Sequence, residues 1–166
     1  MSDIRSPVRI GDDAAVLDLV PLASDMPTDE DLRMVLAAYR IRGMLGFRSR
    51  RAEVARIRRE VTGAVHAVQP RTVVMVFEGA DGASRRRVDR IARHVTRDIR
   101  VAATNAVGSD TTVIGLVVMT GQERDLAATC VRHVAVEPPE RGDGLVFHAA
   151  DLRRANIYEL IEEAVV

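Results

Sequence analysis

Two glycine-containing loops hold the residues whose types and spacing best suit ligand binding. "EGADGASRR" follows an apolar run at 72–77, and "MTGQER" closes another at 111–120. Each loop leads into a predicted helix, whose N-terminal N–H groups and partial positive charge favour phosphate or carboxylate. We predict an anion site formed by Gly79, Asp81, Gly82, Ser84, Arg85, Thr120, Gly121 and Gln122. In the alternative, these residues only build strand-to-helix turns, which also use glycine followed by a polar cap.

The acidic residues of the first loop suggest a second use for it. Glu78 and Asp81 could hold a metal or a ribose hydroxyl. Neither loop has the Gly-x-x-x-x-Gly-Lys or the Gly-x-Gly-x-x-Gly pattern of known phosphate-binding loops. The sequence therefore assigns no cofactor and no metal, and the ligand class stays open.

A cysteine and a histidine stand three residues apart in "CVRH", a spacing that can create an activated nucleophile. Cys130, however, lies on the apolar stripe of its predicted helix, so we interpret it as a small buried side chain. The other histidines are far apart in sequence, without the spacing of metal ligands. We assign no catalytic residue, and we expect binding rather than catalysis.

The basic residues are unevenly distributed. The chain has 24 arginines and no lysine, which excludes Schiff-base and P-loop lysine chemistry. Residues 47–100 hold 14 arginines against six acidic residues, a net charge of +8, whereas the segments before and after carry −3 and −5. "FRSRRAEVARIRRE", at 47–60, alone has six arginines. The charge map thus indicates one strongly basic third of the chain.

Three interpretations of this basic segment remain open. The arginines could be solvated helix faces whose stems cover apolar surface. They could meet acidic faces within the chain or across a homo-oligomer, with Glu159, Glu162 and Glu163 as the obvious counterpart. They could neutralise RNA or DNA phosphates, although two Tyr, three Phe and no Trp leave few stacking platforms. The candidates for an acidic partner or nucleic acid are Arg50, Arg51, Arg58, Arg59, Arg86 and Arg87.

The predicted helices and strands that carry these residues indicate an α/β fold. A capping box at Thr28 and Asp31 predicts a first helix, and Ser49 caps a second helix that ends before Pro70. From 71 to 137 the pattern predicts strand, helix, strand, strand, helix, strand, with "IRVAATNAV" (99–107) and 111–120 forming an antiparallel hairpin. This order is the split βαβ, ferredoxin-like arrangement, with four to five mixed or antiparallel strands. In it, strands 72–77 and 111–120 are parallel neighbours, so the two glycine loops share one edge.

The domain plan is an N-terminal arm, 1–27, and one α/β domain, 28–166. That domain comprises a helical pair (28–70), the βαββαβ core (71–137), and a strand plus a C-terminal helix (145–166), the helix beginning near Asp151. One cysteine, no leader pattern and no long apolar run predict a cytoplasmic protein that makes no membrane contact. We predict a binding, regulatory or assembly module that forms a homo-oligomer through its basic and acidic faces. The alternatives are a nucleic-acid binder and an enzyme or sensor for a phosphorylated small molecule.

Overall fold

The computed structural model describes residues 8–12, 33–43, 46–108, 111–140 and 144–165. Within these ranges it has five strands, four α-helices and one short 3-10 helix. The strands are β1 Val8–Gly11, β2 Met34–Arg42, β3 Thr72–Ala80, β4 Thr112–Val118 and β5 Leu145–His148. The helices are α1 Phe47–Val68, α2 Arg85–Ala106, α3 Gly121–Val136 and α4 Ile157–Val165, and the 3-10 helix Ala149–Arg153 precedes α4.

The five strands form one sheet in the order β1-β2-β3-β4-β5, and every pair is parallel. The predicted ferredoxin-like fold with mixed or antiparallel strands is therefore wrong. β3 and β4 are indeed parallel neighbours, but a full helical crossover joins them rather than a helix plus a hairpin. Such a crossover is what two adjacent parallel strands require.

The segment 99–107 explains most of this error. We predicted a strand there from its Ile, Val and Thr residues, but it continues α2, which runs for 22 residues. Ile99 and Ala103 are buried on the same side of α2 as Val88, Ala92 and Val95. The three- and four-residue spacing of these positions is helical. Burial of this apolar stripe decides the conformation of residues 99–107, because β-branched residues lower helix propensity only slightly.

The prediction for residues 34–42 was wrong in the opposite sense. We predicted a helix over "MVLAAY", but these residues form β2, in which six consecutive residues are buried. A parallel strand covered on both faces is apolar at every position, so it lacks the alternation that identifies a half-exposed strand. There is therefore one helix, not two, between residues 33 and 70 in the described ranges. The expected capping box at Thr28 and Asp31 lies outside the described residues.

The sheet separates two helical layers. Along the strands, Val35, Val73 and Val113 pack under α1 and α2, whereas their neighbours Leu36, Val74 and Ile114 pack under α3 and α4. This alternation follows from the two-residue period of a strand. Both clusters are closed to solvent, so α1 and α2 on one side cannot contact α3 and α4 through the sheet.

The connections of the sheet change side between β3 and β4. The crossovers through α1 and α2 lie on one face and the crossover through α3 lies on the other, although each step moves to the next strand in the same direction. Two crossovers that step the same way on opposite faces have opposite hands. The crossovers on one of the two faces must therefore be left-handed, a form that occurs in only about 2% of such connections.

Several smaller predictions are corrected at the element ends. α1 begins at Phe47, with Gly46 rather than Ser49 as its N-cap. The stretch "HVAVE" is not a strand, because α3 continues to Val136. The C-terminal helix begins at Ile157 rather than near Asp151. The arm 1–27 contributes the edge strand β1, and the rest of it lies outside the described residues apart from Asp12. No described helix has the length and apolar character needed to span a bilayer.

Candidate functional site

The carboxyl ends of β3, β4 and β5 carry the densest group of buried charges. Glu78 lies near the end of β3, opposite Val118 of β4, and His148 ends β5 opposite Val117. α2 begins next to this edge on one face of the sheet and α3 begins next to it on the other. In parallel sheets, ligands bind in the crevice outside the strand ends where successive connections turn to opposite faces. The ends of β3 and β4 are such a place.

Glu123 is the central group of this edge. It lies in the first turn of α3 and is 3% exposed. Its Oε1 accepts a hydrogen bond from Arg85 Nη2 at 2.7 Å, and its Oε2 accepts one from the Met119 N–H at 2.7 Å. Thr120 Oγ1 in turn accepts from the Glu123 N–H at 3.2 Å. This Thr-x-x-Glu arrangement caps α3 and ties the start of α2 to the start of α3 around the sheet edge.

Glu78 forms the second buried ion pair, with Arg124 of α3. The Glu78 side chain is 5% exposed, and its Oε1 accepts from Arg124 Nη2. Its other oxygen, Oε2, is buried and has no hydrogen-bond partner in the described part of the chain. Buried carboxylate oxygens normally have partners, so this oxygen is an exception that calls for an explanation.

His148 extends the network to β5. Its Nδ1 lies 3.4 Å from Arg85 Nη1, and its Nε2 lies 3.1 Å from Asp89 Oδ1, though not in hydrogen-bond alignment. Arg93 Nε donates to the other oxygen of Asp89 at 2.9 Å. The edge therefore links three strand ends to both helical layers through alternating charges. No hydroxyl or thiol nucleophile is in contact with His148 in the described ranges.

Most side chains of the predicted anion site are engaged in the fold. Ser84 and Thr120 accept hydrogen bonds from the backbones of their own helices, α2 and α3. Arg85 is paired with Glu123, and Gln122 Oε1 accepts from Arg153 Nη2 at 2.9 Å. The two loops meet at one edge as expected, but their side chains largely satisfy each other. Whether the edge binds an anion stays a prediction.

The glycines of this edge differ in what surrounds them. Asp81 and Gly82 have positive φ angles of 47° and 74°, and the Ala83 N–H donates to the Ala80 carbonyl at 3.0 Å. They form a tight turn, and its backbone lies directly against Gly43: a Cβ on Gly43 would sit 2.6 Å from the Gly82 carbonyl carbon. A Cβ on Gly79 would meet Met119 Cε at 2.6 Å, whereas one on Gly121 would meet nothing within 4 Å. Of the predicted glycines, Gly82 and Gly121 both have open surroundings, but only Gly82 has a positive φ, which disfavours a side chain.

A second candidate surface, the arginine face, is the outer side of α1 and α2. These two helices carry 13 arginines and four acidic residues, a net charge of +9. Some arginines have partners: Arg58 lies 3.1 Å from Asp98, and Arg87 Nη1 donates to the Gly43 carbonyl at 2.8 Å. Six are exposed with no partner in the described part of the chain: Arg48, Arg50, Arg59, Arg86, Arg90 and Arg97.

These findings divide the predicted arginine candidates. Arg50, Arg59 and Arg86 are exposed and unpaired, whereas Arg58 and Arg87 brace the fold. Arg51 also has an interaction partner. The sequence-based list did not include Arg90 and Arg97. At 100° per residue, Arg86, Arg90 and Arg97 share one side of α2 over about 16 Å, so helical spacing alone could have identified them.

The acidic residues lie on the other layer. α3, α4 and the 3-10 helix hold six acidic residues against three arginines, a net charge of −3. Glu159 accepts from the Asn156 N–H and so caps α4, while Glu163 pairs with Arg154. Asp125 and Glu162 are exposed without a partner among the described residues. Because the sheet lies between the layers, α4 cannot neutralise the arginine face of its own chain.

The Cys130–His133 pair does not form a reactive centre. Cys130 is 5% exposed within the core beneath α3, and burial raises the pKa of its thiol to about 12. A thiol with such a pKa is scarcely ionised at neutral pH and is a poor nucleophile. The described residues contain no group of three or more His, Cys, Asp or Glu that could hold a metal, so Glu78 and Asp81 gain no further ligand.

Sequence reasoning missed the residues that dominate the strand-end cluster: Glu123, Arg124, Asp89 and His148. The Thr-x-x-Glu spacing of Thr120 and Glu123 was a visible signal, because it is a capping box next to a predicted strand end. The Glu78–Arg124 and Asp89–His148 contacts join residues 46 and 59 positions apart and had no local signal. The chain matches no protein-family model, and comparisons with curated proteins and with solved structures likewise find no similar chain.

Proposed function

We propose that this chain is a non-catalytic assembly module, in which the arginine face of one copy docks on the acidic layer of α3 and α4 of another. The observation that carries the proposal is the separation of charge by the sheet: +9 on α1 and α2 against −3 on α3, the 3-10 helix and α4. Apart from Arg85 and Glu123, which pair around the strand ends, the sheet separates these helix charges within one chain, so the outer faces of the two layers can meet only between chains.

The unpaired groups support this proposal. Exposed pairs such as Arg93–Asp89, 2.9 Å apart, are ordinary surface contacts and contribute little. Arg86, Arg90 and Arg97 have no such partner among the described residues and repeat along one side of α2. Repulsion between like charges along this row would be relieved by an acidic surface. Complementary charge mainly sets the rate and the register of association.

The geometry predicts how copies would associate. The two docking faces are different surfaces on opposite sides of the sheet, so their contact is heterologous. Repeated heterologous contacts give a ring if the rotation closes and a filament if it does not. A two-fold dimer through the arginine face is disfavoured, because it would bring two faces of +9 together.

Nucleic acid would meet the same arginines by different chemistry. The arginines would neutralise its phosphates, and binding of a single strand would also require exposed aromatic rings for stacking. In the described ranges, Tyr39, Phe77 and Phe147 are buried, and the Tyr158 hydroxyl donates to the Glu137 carbonyl at 2.6 Å. The described side chains of this surface thus supply charge without a stacking platform, which favours a protein partner.

The proposal is tested by size-exclusion chromatography with light scattering in about 50 mM and about 500 mM NaCl, since exposed charge pairs are screened by salt. We expect assemblies larger than the 18.2 kDa chain at low salt that dissociate at high salt. Arg90→Glu should weaken association about tenfold, equivalent to about 1.4 kcal/mol. Arg71→Glu, the same charge change at the amino end of β3, is the matched control and should behave like the parent.

Two results would contradict the proposal. One is an 18.2 kDa species at both salt concentrations. The other is a co-purifying species that absorbs at 260 nm and is removed by salt, which would assign the arginine face to nucleic acid.

A further inference from the structure

We propose that the crevice between the carboxyl ends of β3 and β4 binds a small sugar phosphate, with the phosphate at the N-terminus of α3 and a sugar hydroxyl donating to Glu78. The proposal concerns a different surface from the arginine face. Its test therefore does not depend on whether copies of the chain assemble.

The topology places an opening at this point. After β3 the chain turns to the face covered by α2, and after β4 it turns to the opposite face, covered by α3. The two connections therefore diverge to opposite faces at this end of the sheet. Elsewhere in the described sheet, the connections after β2 and β3 leave to the same side. The crevice is thus specific to the β3–β4 step.

The phosphate half of the site is the first turn of α3. The Glu123 N–H is bonded to Thr120 Oγ1 and the Arg124 N–H to the Thr120 carbonyl. The N–H groups of Gly121 and Gln122 precede the first intrahelical bond and have no acceptor within the helix. Gly121 is exposed, and open space surrounds the position where a side chain would begin. An anion can therefore approach both N–H groups closely.

The hydroxyl half is the unpartnered oxygen of Glu78. Its carboxylate is directed at the first turn of α3, because Oε1 accepts from Arg124, while Oε2 is buried without a partner. A free phosphate is disfavoured at this oxygen, since both groups are negatively charged and repel each other. A ligand that combines a phosphate with a hydroxyl satisfies both halves. This combination defines the ligand as a sugar phosphate rather than a simple anion.

Isothermal titration calorimetry with ribose 5-phosphate, inorganic phosphate and ribose tests the proposal on the parent chain. Ribose 5-phosphate should bind at least about tenfold more tightly than either half alone. Glu78→Gln should reduce the preference for ribose 5-phosphate over inorganic phosphate about tenfold, because the sugar hydroxyl loses a charged acceptor, whereas the weakened Arg124 pair affects both ligands alike.

A second variant tests the other half without disturbing the carboxylate. Proline is accepted at the first position of a helix, and the extended Thr120 (φ −134°, ψ 164°) is compatible with a following proline. Gly121→Pro therefore removes one N–H while preserving α3, and should weaken ribose 5-phosphate and inorganic phosphate alike, about tenfold. Arg90→Glu, which affects only the arginine face, should bind ribose 5-phosphate like the parent.

The outcomes are decisive even if one variant folds poorly, as circular dichroism would reveal. Absence of heat and of thermal stabilisation with ribose 5-phosphate at about 10 mM would overturn the proposal, since a bound ligand must stabilise the folded state. So would binding that is unchanged by Gly121→Pro.

Discussion

Replacing Glu123 by alanine should destabilise the fold far more than its place in the polar stretch "GQERD" suggests. The substitution removes the acceptor for the Met119 N–H at 2.7 Å and leaves that partly buried donor unpaired, which costs about 1–3 kcal/mol. It also removes a negative charge from the N-terminal turn of α3, worth about 1 kcal/mol at a buried position. The Arg85 pair adds little, because the Arg85 side chain is 43% exposed and can be solvated. We therefore expect a loss of about 2–4 kcal/mol.

Urea unfolding followed by circular dichroism, in about 500 mM NaCl to suppress association, would measure this loss. Glu123→Gln retains an acceptor for Met119 and should cost only about 1 kcal/mol. Glu162→Ala, an exposed glutamate without a partner in the described part of the chain, is the matched control and should stay within about 0.5 kcal/mol of the parent. Equal stabilities of Glu123→Ala and Glu162→Ala would refute the reasoning about the strand-end cluster.

Two further predictions concern the core. Gly115→Ala should cost about 1–3 kcal/mol in urea unfolding, because its Cβ would lie 2.6 Å from Thr96 Oγ1 and 2.9 Å from Val146 Cγ2; adding Thr96→Ala should restore at least about 1 kcal/mol, and additive losses would contradict this contact. Burial raises the pKa of Cys130 from 9.0 to about 12, so between these values the unfolded chain releases the proton first and stability falls as pH rises. Cys130→Val should reduce this fall by on the order of 1 kcal/mol per pH unit, and identical pH profiles of the two proteins would count against it.

Local patterns predicted the elements whose signal is contained within one segment. β3, α1, the start of α2 capped by Ser84, most of α3 and β5 lie close to where the sequence placed them. The architecture depended on two ambiguous segments. The apolar stretch in β2 is compatible with a helix or a doubly covered strand, and residues 99–107 have strand-like composition on a helical stripe. Reversing these two assignments changes a mixed sheet into a parallel one.

The candidate site was predictable only in part for a related physical reason. The β3 and β4 loops were expected to share an edge, and they do, because those strands are parallel neighbours in both folds. The partners of Glu78, Arg85 and Asp89 come from α3 and β5, and no spacing in the sequence specifies such pairs. The charge map of the sequence located the basic third of the chain. Only the two-layer arrangement reveals that the acidic helix lies on the opposite side.

The most direct test of head-to-tail assembly mixes two complementary variants in low salt. Arg90→Glu with Arg97→Glu impairs the arginine face, and Asp125→Arg with Glu162→Arg impairs the acidic layer. Each double variant alone should be an 18.2 kDa monomer by light scattering. An equimolar mixture should form a dimer and nothing larger, since it contains one intact pair of faces. A mixture that remains monomeric, or single variants that still assemble, would contradict the account.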